Sequence, residues 1–296
     1  MSAHGNQRGV IAAVDGSPSS LVATDWAARY AARRHVPLTL VNVLATPAIG
    51  MLPEPALVAG FSEGREKNGR KILAEARRVA DRALLEFEPI VVQEESCTGV
   101  PIPTLVDLSK DVDVIVVGCR GRGRLKNRIL GSVSSGLIRH AHCPVAVVHD
   151  EDPLMDHPAE APVLVGIDGS PASELATAIA FDEADRRGVG VIAMHSWADS
   201  DVFGWASVDW DLQLETGREA LGERLAGWQE RYPHVTVDRR LVYGDPAEHL
   251  VAASEEAQLT VVGSHGRGGF AGMLLGSVSS AVVQAIRMPV IVARPS

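Results

Sequence analysis

One feature constrains this chain before any other: it is written twice. Ile11-Ala-Ala-Val14-Asp15-Gly16-Ser17-Pro18 recurs as Leu164-Val-Gly-Ile167-Asp168-Gly169-Ser170-Pro171, 153 residues later. Val116-Val117-Gly118 returns as Val261-Val262-Gly263, and Gly131-Ser132-Val133-Ser134-Ser135 as Gly276-Ser277-Val278-Ser279-Ser280, both at an offset of 145. Pro144-Val145 returns as Pro289-Val290 at that same offset. A period this long exceeds any solenoid unit and matches an ordinary domain. The expectation is two tandem domains of one fold, residues 1–149 and 163–296. The acidic segment 150–162, with Pro153, Pro158 and Pro162, would link them.

Within each copy, short apolar runs alternate with segments of helical period. In copy one the strands are expected at Val10–Val14, Leu38–Leu44, Ile90–Glu94, Val112–Val117 and Val145–Val148. Val22, Trp26 and Tyr30 form one helical stripe, and Ile72, Ala76, Val79, Ala83 and Phe87 another. A shorter helix opens at about Pro101 and runs to Lys110, and a fourth runs from Ser132 to His140. In copy two, Leu221, Leu225, Trp228 and Tyr232 mark the long helix. Five continuously apolar strands alternating with helices imply an open, doubly wound α/β domain with a parallel sheet. Such sheets take ligands beyond the carboxyl ends of their strands, where the strand order reverses. The first and fourth strands are the natural neighbours there, and the two most repeated loops follow those strands.

Composition narrows the function classes. The chain has 296 residues, 46% of them hydrophobic, so it can bury a sizeable core. No apolar run approaches the ~20 residues of a membrane span, and Met1 to Gly9 carries no secretory-type apolar stretch. A cytoplasmic location without membrane association is expected. Residues 1–150 hold 18 Lys+Arg and 15 Asp+Glu, a balance of +3, and the remainder hold 10 and 22, a balance of −12. An overall charge of −9 argues against nucleic acid as a partner, because phosphate neutralisation needs a clustered basic surface. Cys97, Cys119 and Cys143 are too few for a disulfide framework and form no CxxC pair.

The chemistry lies in the loop after the fourth strand. Copy one reads Gly118-Cys-Arg-Gly121, nine residues, Gly131-Ser132, and copy two reads Gly263-Ser-His-Gly266, nine residues, Gly276-Ser277. Glycines let a backbone approach a polyanion closely and adopt positive φ. The helix opened by Gly131-Ser132 or Gly276-Ser277 offers free N–H groups and a dipole suited to phosphate. Ser132 and Ser277 would cap that helix or donate to a phosphate oxygen. Asp15 and Asp168, before Gly-Ser-Pro, suit the turn into a helix as well as a ligand.

This G-x2-G-x9-G-[ST] pattern, with Val14-Asp15-Gly16-Ser17 at the end of the first strand, resembles the ATP-binding signature of the universal stress protein family. The resemblance covers nearly the whole chain, in two copies, and extends to tandem actinobacterial members associated with dormancy. It implies a 3-2-1-4-5 strand order and ATP held between the first- and fourth-strand loops. Asp15 and Asp168 would then contact the adenosine end, with the backbone near Val41 and Met194 along the adenine. Gly118, Gly121, Gly131, Ser132 and Val133 would hold ribose and phosphates in copy one, and Gly263, Gly266, Gly276, Ser277 and Val278 in copy two. Two ATP per chain are expected, accompanied by Mg, in a nucleotide-dependent regulator of stress response or growth. The uncharged fifth strands, Val145–Val148 and Val290–Ala293, would lie on sheet edges and are expected to pair the two domains antiparallel about a pseudo-twofold axis. An unidentified protein partner and a homodimer of whole chains are also expected.

Other readings are weaker. Neither copy has the G-x4-G-K-[ST] of a P-loop. Gly266, Gly268 and Ala271 match a dinucleotide spacing, but no Asp or Glu follows Glu256, and Lys126 breaks the pattern in copy one. His140 and His142 cannot share one helix face. Cys119 of the glycine loop has Ser264 as its counterpart, which argues against a shared redox role. Arg122, Arg124, Lys126 and Arg128 of copy one would neutralise polyphosphate or simply be solvated. No reactive side chain repeats, so binding is favoured over turnover. Slow ATP hydrolysis or phosphotransfer, or an interaction protein that has lost its nucleotide, are the competing classes.

Overall fold

The computed structural model describes residues 9–45, 55–121, 130–149, 158–197, 210–267 and 274–295. The basic set Arg122, Arg124, Lys126 and Arg128, the glycines and Phe270 of residues 268–272, and residues 150–157 of the expected linker lie outside these. The chain divides into two compact units, residues 1–150 and 151–295. The first contains β1 (Val10–Ala13), α1 (Pro18–Arg34), β2 (Leu38–Ala45), α2 (Pro55–Ala83), β3 (Val92–Gly99), α3 (Pro101–Leu108), β4 (Val114–Gly118), α4 (Ser132–His140) and β5 (Val145–Val148). The second contains β6 (Val163–Gly166), α5 (Pro171–Arg187), β7 (Val191–Trp197), α6 (Trp210–Arg231), β8 (Val237–Tyr243), α7 (Pro246–Ser254), β9 (Leu259–Gly263), α8 (Ser277–Ala285) and β10 (Val290–Ala293).

In unit one the strands run parallel in the order β3-β2-β1-β4-β5, and in unit two β8-β7-β6-β9-β10. Each is the 3-2-1-4-5 order, with the reversal between the first and fourth strands of its copy. Val10, Ile11, Ala12, Ile115 and Val116, and in copy two Val163, Leu164, Val165 and Val261, are fully buried. Covering both faces with helices leaves no solvent-facing side on these strands, which is why they read as unbroken apolar runs.

Several element limits differ from the sequence reading. The third strand is Val92–Gly99 rather than Ile90–Glu94. Its alternation of half-buried and exposed residues is that of an outer strand, which gives no apolar run to mark it. The helix opening at Pro101 ends at Leu108, and Ser109–Asp111 continue as one 3-10 turn. Of the Val22, Trp26, Tyr30 stripe only Tyr30 is buried; Trp26 is half-buried and Val22 is 43% exposed. The buried face of α1 is Ala23, Ala27, Ala28 and Ala31, with Ser20 and Thr24. Small side chains let the helix axis approach the sheet, and Trp26 and Tyr30 stack on its flank at 4.9 Å. In α2 the buried row is Ile72, Leu73, Ala76, Ala80 and Ala83; Val79 is only half-buried and Phe87 lies beyond the helix.

Candidate functional site

The first-strand turn follows the same plan in both units. Gly16 and Gly169 take φ of 78° and 77°, a left-handed conformation that costs glycine least. The Asp15 and Asp168 carboxylates each accept the N–H two residues on, from Ser17 and Ser170, at 2.9 Å. Ser17 and Ser170 then cap α1 and α5, each accepting from the N–H three residues later, with proline in the first turn. The same hydroxyls donate across to the glycine loop, Ser17 to Arg120 O at 3.3 Å and Ser170 to His265 O at 3.2 Å. The Asp-Gly-Ser-Pro motif thus forms the turn, starts the helix and holds the two loops side by side.

The loop glycines divide by task. A Cβ on Gly118 would strike the Ser19 backbone at 2.6 Å, and one on Gly263 would meet Ala172 C at 2.9 Å. These two glycines permit close packing of α1 on β4 and of α5 on β9. A Cβ on Gly121 would lie 2.9 Å from Asp15 Oδ2, and one on Gly266 would collide with Asp168 Oδ2. These two let the loop lie against the aspartate. Gly131 and Gly276 have φ of −61° and −71°, which any residue adopts. Among the described residues, a Cβ at Gly131 would come nearest to Cys119 O and Gly121 N at 3.5 Å, and one at Gly276 nearest to His265 Cα at 3.3 Å. The positive φ expected of the loop glycines therefore belongs to the first-strand turn instead.

Gly131 and Gly276 are the N-caps of α4 and α8 and make no side-chain cap bond, and among the described residues no side chain bonds the first-turn N–H groups. Ser132 and Ser277 occupy the first helical positions and do not act as caps. Anchoring falls to the serines two places on: Ser134 Oγ donates to Gly118 O at 2.7 Å and Ser279 Oγ to Gly263 O at 2.5 Å. Gly131 N and Gly276 N donate to Cys119 O and Ser264 O at 2.8 and 2.7 Å. Each helix therefore presents a pinned N-terminus with open amides, an arrangement that favours an anion. Cys119 is buried against Ser19, 3.6 Å from its hydroxyl, and faces away from this opening.

Each unit holds a cavity at this point, about 470 Å³ in the first and about 360 Å³ in the second. The first brings together Asp15, Val41, Gly118, Gly121, Gly131, Ser132 and Val133. The second brings together Asp168, Met194, Gly263, Gly266, Gly276, Ser277 and Val278. Every site residue expected from the sequence lines one cavity or the other. The Val41 and Met194 carbonyls already accept from Val14 N and Ile167 N at 2.8 Å. A ligand edge beside them would use the second lone pair or the side chains.

Other lining residues were not named as site residues from the sequence: Val43, Pro101, Leu105, Arg120 and Leu130 in the first cavity, and His195, Ser196, Pro246, Leu250, His265 and Arg267 in the second. The repeat carried the signal for several of them, since Pro101 and Leu105 return as Pro246 and Leu250 at the offset of 145. The cavities differ where Asn42 is replaced by His195. Asn42 Nδ2 donates to Val14 O at 2.6 Å, and His195 Nδ1 meets the equivalent Ile167 O at 2.6 Å. Burial holds the His195 imidazole below its ordinary pKa; the Ile167 bond opposes this, the Arg224 and Arg267 guanidiniums add to it, and Asp168 opposes it.

Comparison with known proteins supplies the relationship. The model of the universal stress protein family matches twice, over residues 8–149 and 161–294. The chain is 52% identical to a universal stress protein of Mycobacterium tuberculosis, over 100% of this chain and 99% of that one. It is 49% identical to a second from the same organism, over 100% of both. A crystal structure of a universal stress protein from Archaeoglobus fulgidus matches at a TM-score of 0.71 and 19% identity, covering 99% of this chain and 100% of that one, a likeness of fold. A duplicated sequence, a duplicated 3-2-1-4-5 sheet and a duplicated family match agree: the chain belongs to the universal stress protein family, with two copies of its domain.

Proposed function

We propose that each unit binds one adenine nucleotide, ATP carrying Mg2+ on its phosphates, and that occupancy regulates a stress or growth response through a protein partner. The observation that carries this reading is the pair of pinned, uncapped helix N-termini at α4 and α8, each opening on a cavity beside an aspartate. Uncapped amides and a helix dipole suit the phosphates. The exposed hydroxyls of Ser132 and Ser277 stand at that end. Val41, Val43, Pro101 and Leu105 give the first cavity an apolar end for a base, and Met194, Pro246 and Leu250 do so in the second. Both volumes fall within the ~300–1,000 Å³ of small-molecule sites. The magnesium would be shared between phosphate oxygens and water, as that ion prefers.

Binding rather than turnover is the function on this reading, because the groups at the phosphate end are backbone amides and serines. Self-association of whole chains belongs to the same proposal. Two variants test it. Gly131→Val and Gly276→Val place bulk at the helix N-termini, where φ is ordinary; a Cβ at Gly131 makes ordinary contact at 3.5 Å, and one at Gly276 needs His265 Cα, 3.3 Å away, to give slightly. The double variant should keep a cooperative melt and lose ATP-dependent thermal stabilisation. That stabilisation is about 2.7 kcal/mol at a hundredfold excess over Kd for one site. Undiminished stabilisation by ATP in the double variant would remove the phosphates from these loops.

A further inference from the structure

The two cavities share a frame but differ in one polar group. At the position after Val41 or Met194, copy one has Asn42 and copy two has His195. Each side chain reaches the carbonyl that ends the residue before the aspartate. Asn42 spends its amide nitrogen there, is 5% exposed, and is not among the residues lining the first cavity. His195 does line the second.

The bond to Ile167 O fixes the imidazole. A carbonyl only accepts, so Nδ1 carries the proton and donates. In the neutral ring Nε2 is then an acceptor, and it has no hydrogen-bond partner among the described residues while not being a buried atom. The charged groups facing the ring are Arg224 of α6, Arg267 after β9 and Asp168 after β6. The two guanidiniums and burial disfavour a proton on Nε2. The Asp168 carboxylate, an acceptor only, lines the same cavity. Unit two thus offers the His195 imidazole beside the Asp168 carboxylate, where in unit one Asp15 lines the cavity and its neighbour Asn42 does not. Two adjacent acceptors match two adjacent hydroxyl donors.

Resting on the nucleotide reading above, we propose that His195 is a specificity residue of the second cavity, its Nε2 accepting from a ribose hydroxyl beside Asp168, so that this copy selects the vicinal diol of a ribonucleotide. The first cavity lacks this acceptor and discriminates less. A polar group built to pair with a hydroxyl rejects the analogue that lacks it, because the group is left unpaired on binding.

The test uses the full chain with Gly131→Val to silence the first copy, and compares ATP with 2′-deoxy-ATP and 3′-deoxy-ATP by calorimetry. At least one deoxy analogue should bind on the order of tenfold more weakly than ATP. His195→Asn, which installs the residue that copy one uses for the same carbonyl, should bring the affinities together. Lowering the pH through and below the ordinary histidine range should do the same in the unmutated site, since a protonated Nε2 no longer accepts. Taking the ratio of ATP to analogue at each pH cancels protonation of the triphosphate. The pH arm leaves His195 in place and so stands even if the Asn variant melts without cooperativity. Equal affinities for ATP and both analogues, or a ratio that neither substitution nor acid changes, overturns the assignment while leaving nucleotide binding intact. Absence of ATP binding in the unmodified chain overturns the nucleotide reading, and this one with it.

Discussion

Single residues here carry loads that their motif does not distinguish. Gly118 and Gly131 belong to one signature, yet the first faces Ser19 and the second opens on the cavity. Gly118→Ala should therefore destabilise the fold by about 1–3 kcal/mol, the usual cost of overpacking. Gly131→Ala should leave the melt nearly unchanged and weaken nucleotide binding; chemical denaturation and calorimetry on the two variants separate the effects. Ser17→Ala removes both a helix cap and a bond to the glycine loop, so a loss of about 1–2 kcal/mol is expected. His195 adds a pH dependence. Its folded-state pKa is lowered, so below the ordinary histidine value the unfolded chain binds the extra proton first. Stability should then fall as pH drops from that value through the folded pKa, and His195→Asn should flatten this slope.

At the scale of elements, one buried pair anchors the second unit. Arg187 and Glu183 of α5 are 7% and 1% exposed and pair at 2.7 Å, and Arg187 Nη1 donates to Gln258 Oε1. Gln258 Nε2 in turn donates to the Ala159 and Ala161 carbonyls, which fixes the chain leading into β6. Glu183→Ala takes the buried carboxylate away from the Arg187 guanidinium and should destabilise the second unit by about 1–3 kcal/mol, measured as a shift in the denaturation midpoint. The strands that position the site, β1, β4, β6 and β9, were legible because burial on both faces makes them continuously apolar. The outer strand β3 was misread because its sequence, Val92–Gly99, is polar almost throughout and carries two glutamates, which leaves no apolar run or alternation to mark it. The bulky stripe of α1 misled for a related reason: periodicity finds large apolar residues, whereas close packing on a sheet is achieved by alanine. The α4 and α8 starts were legible from Gly-Ser, but which serine anchors each helix was not, since Ser132 and Ser134 differ only in the direction each faces. Asn42 and His195 follow Val41 and Met194 at the offset of 153, so their equivalence was legible, but the direction in which each side chain turns was not.

At the scale of the molecule, duplication is the dominant fact, and it makes the account quantitative. Two copies retain the same turn, the same packing glycines, the same pinned helix and a cavity apiece, so the binding proposal requires two sites in one chain. Their linings differ at Val43 and Ser196 and at Arg120 and His265, and His195 lines the second cavity where its counterpart Asn42 does not line the first, so the sites need not share one affinity. The central claim is the stoichiometry. Nucleotide-free protein titrated calorimetrically with MgATP should approach two molecules bound per chain, falling to one in either Gly131→Val or Gly276→Val and to none in the double variant. A reproducible absence of binding to the unmodified chain, or two sites that survive both substitutions, would contradict it.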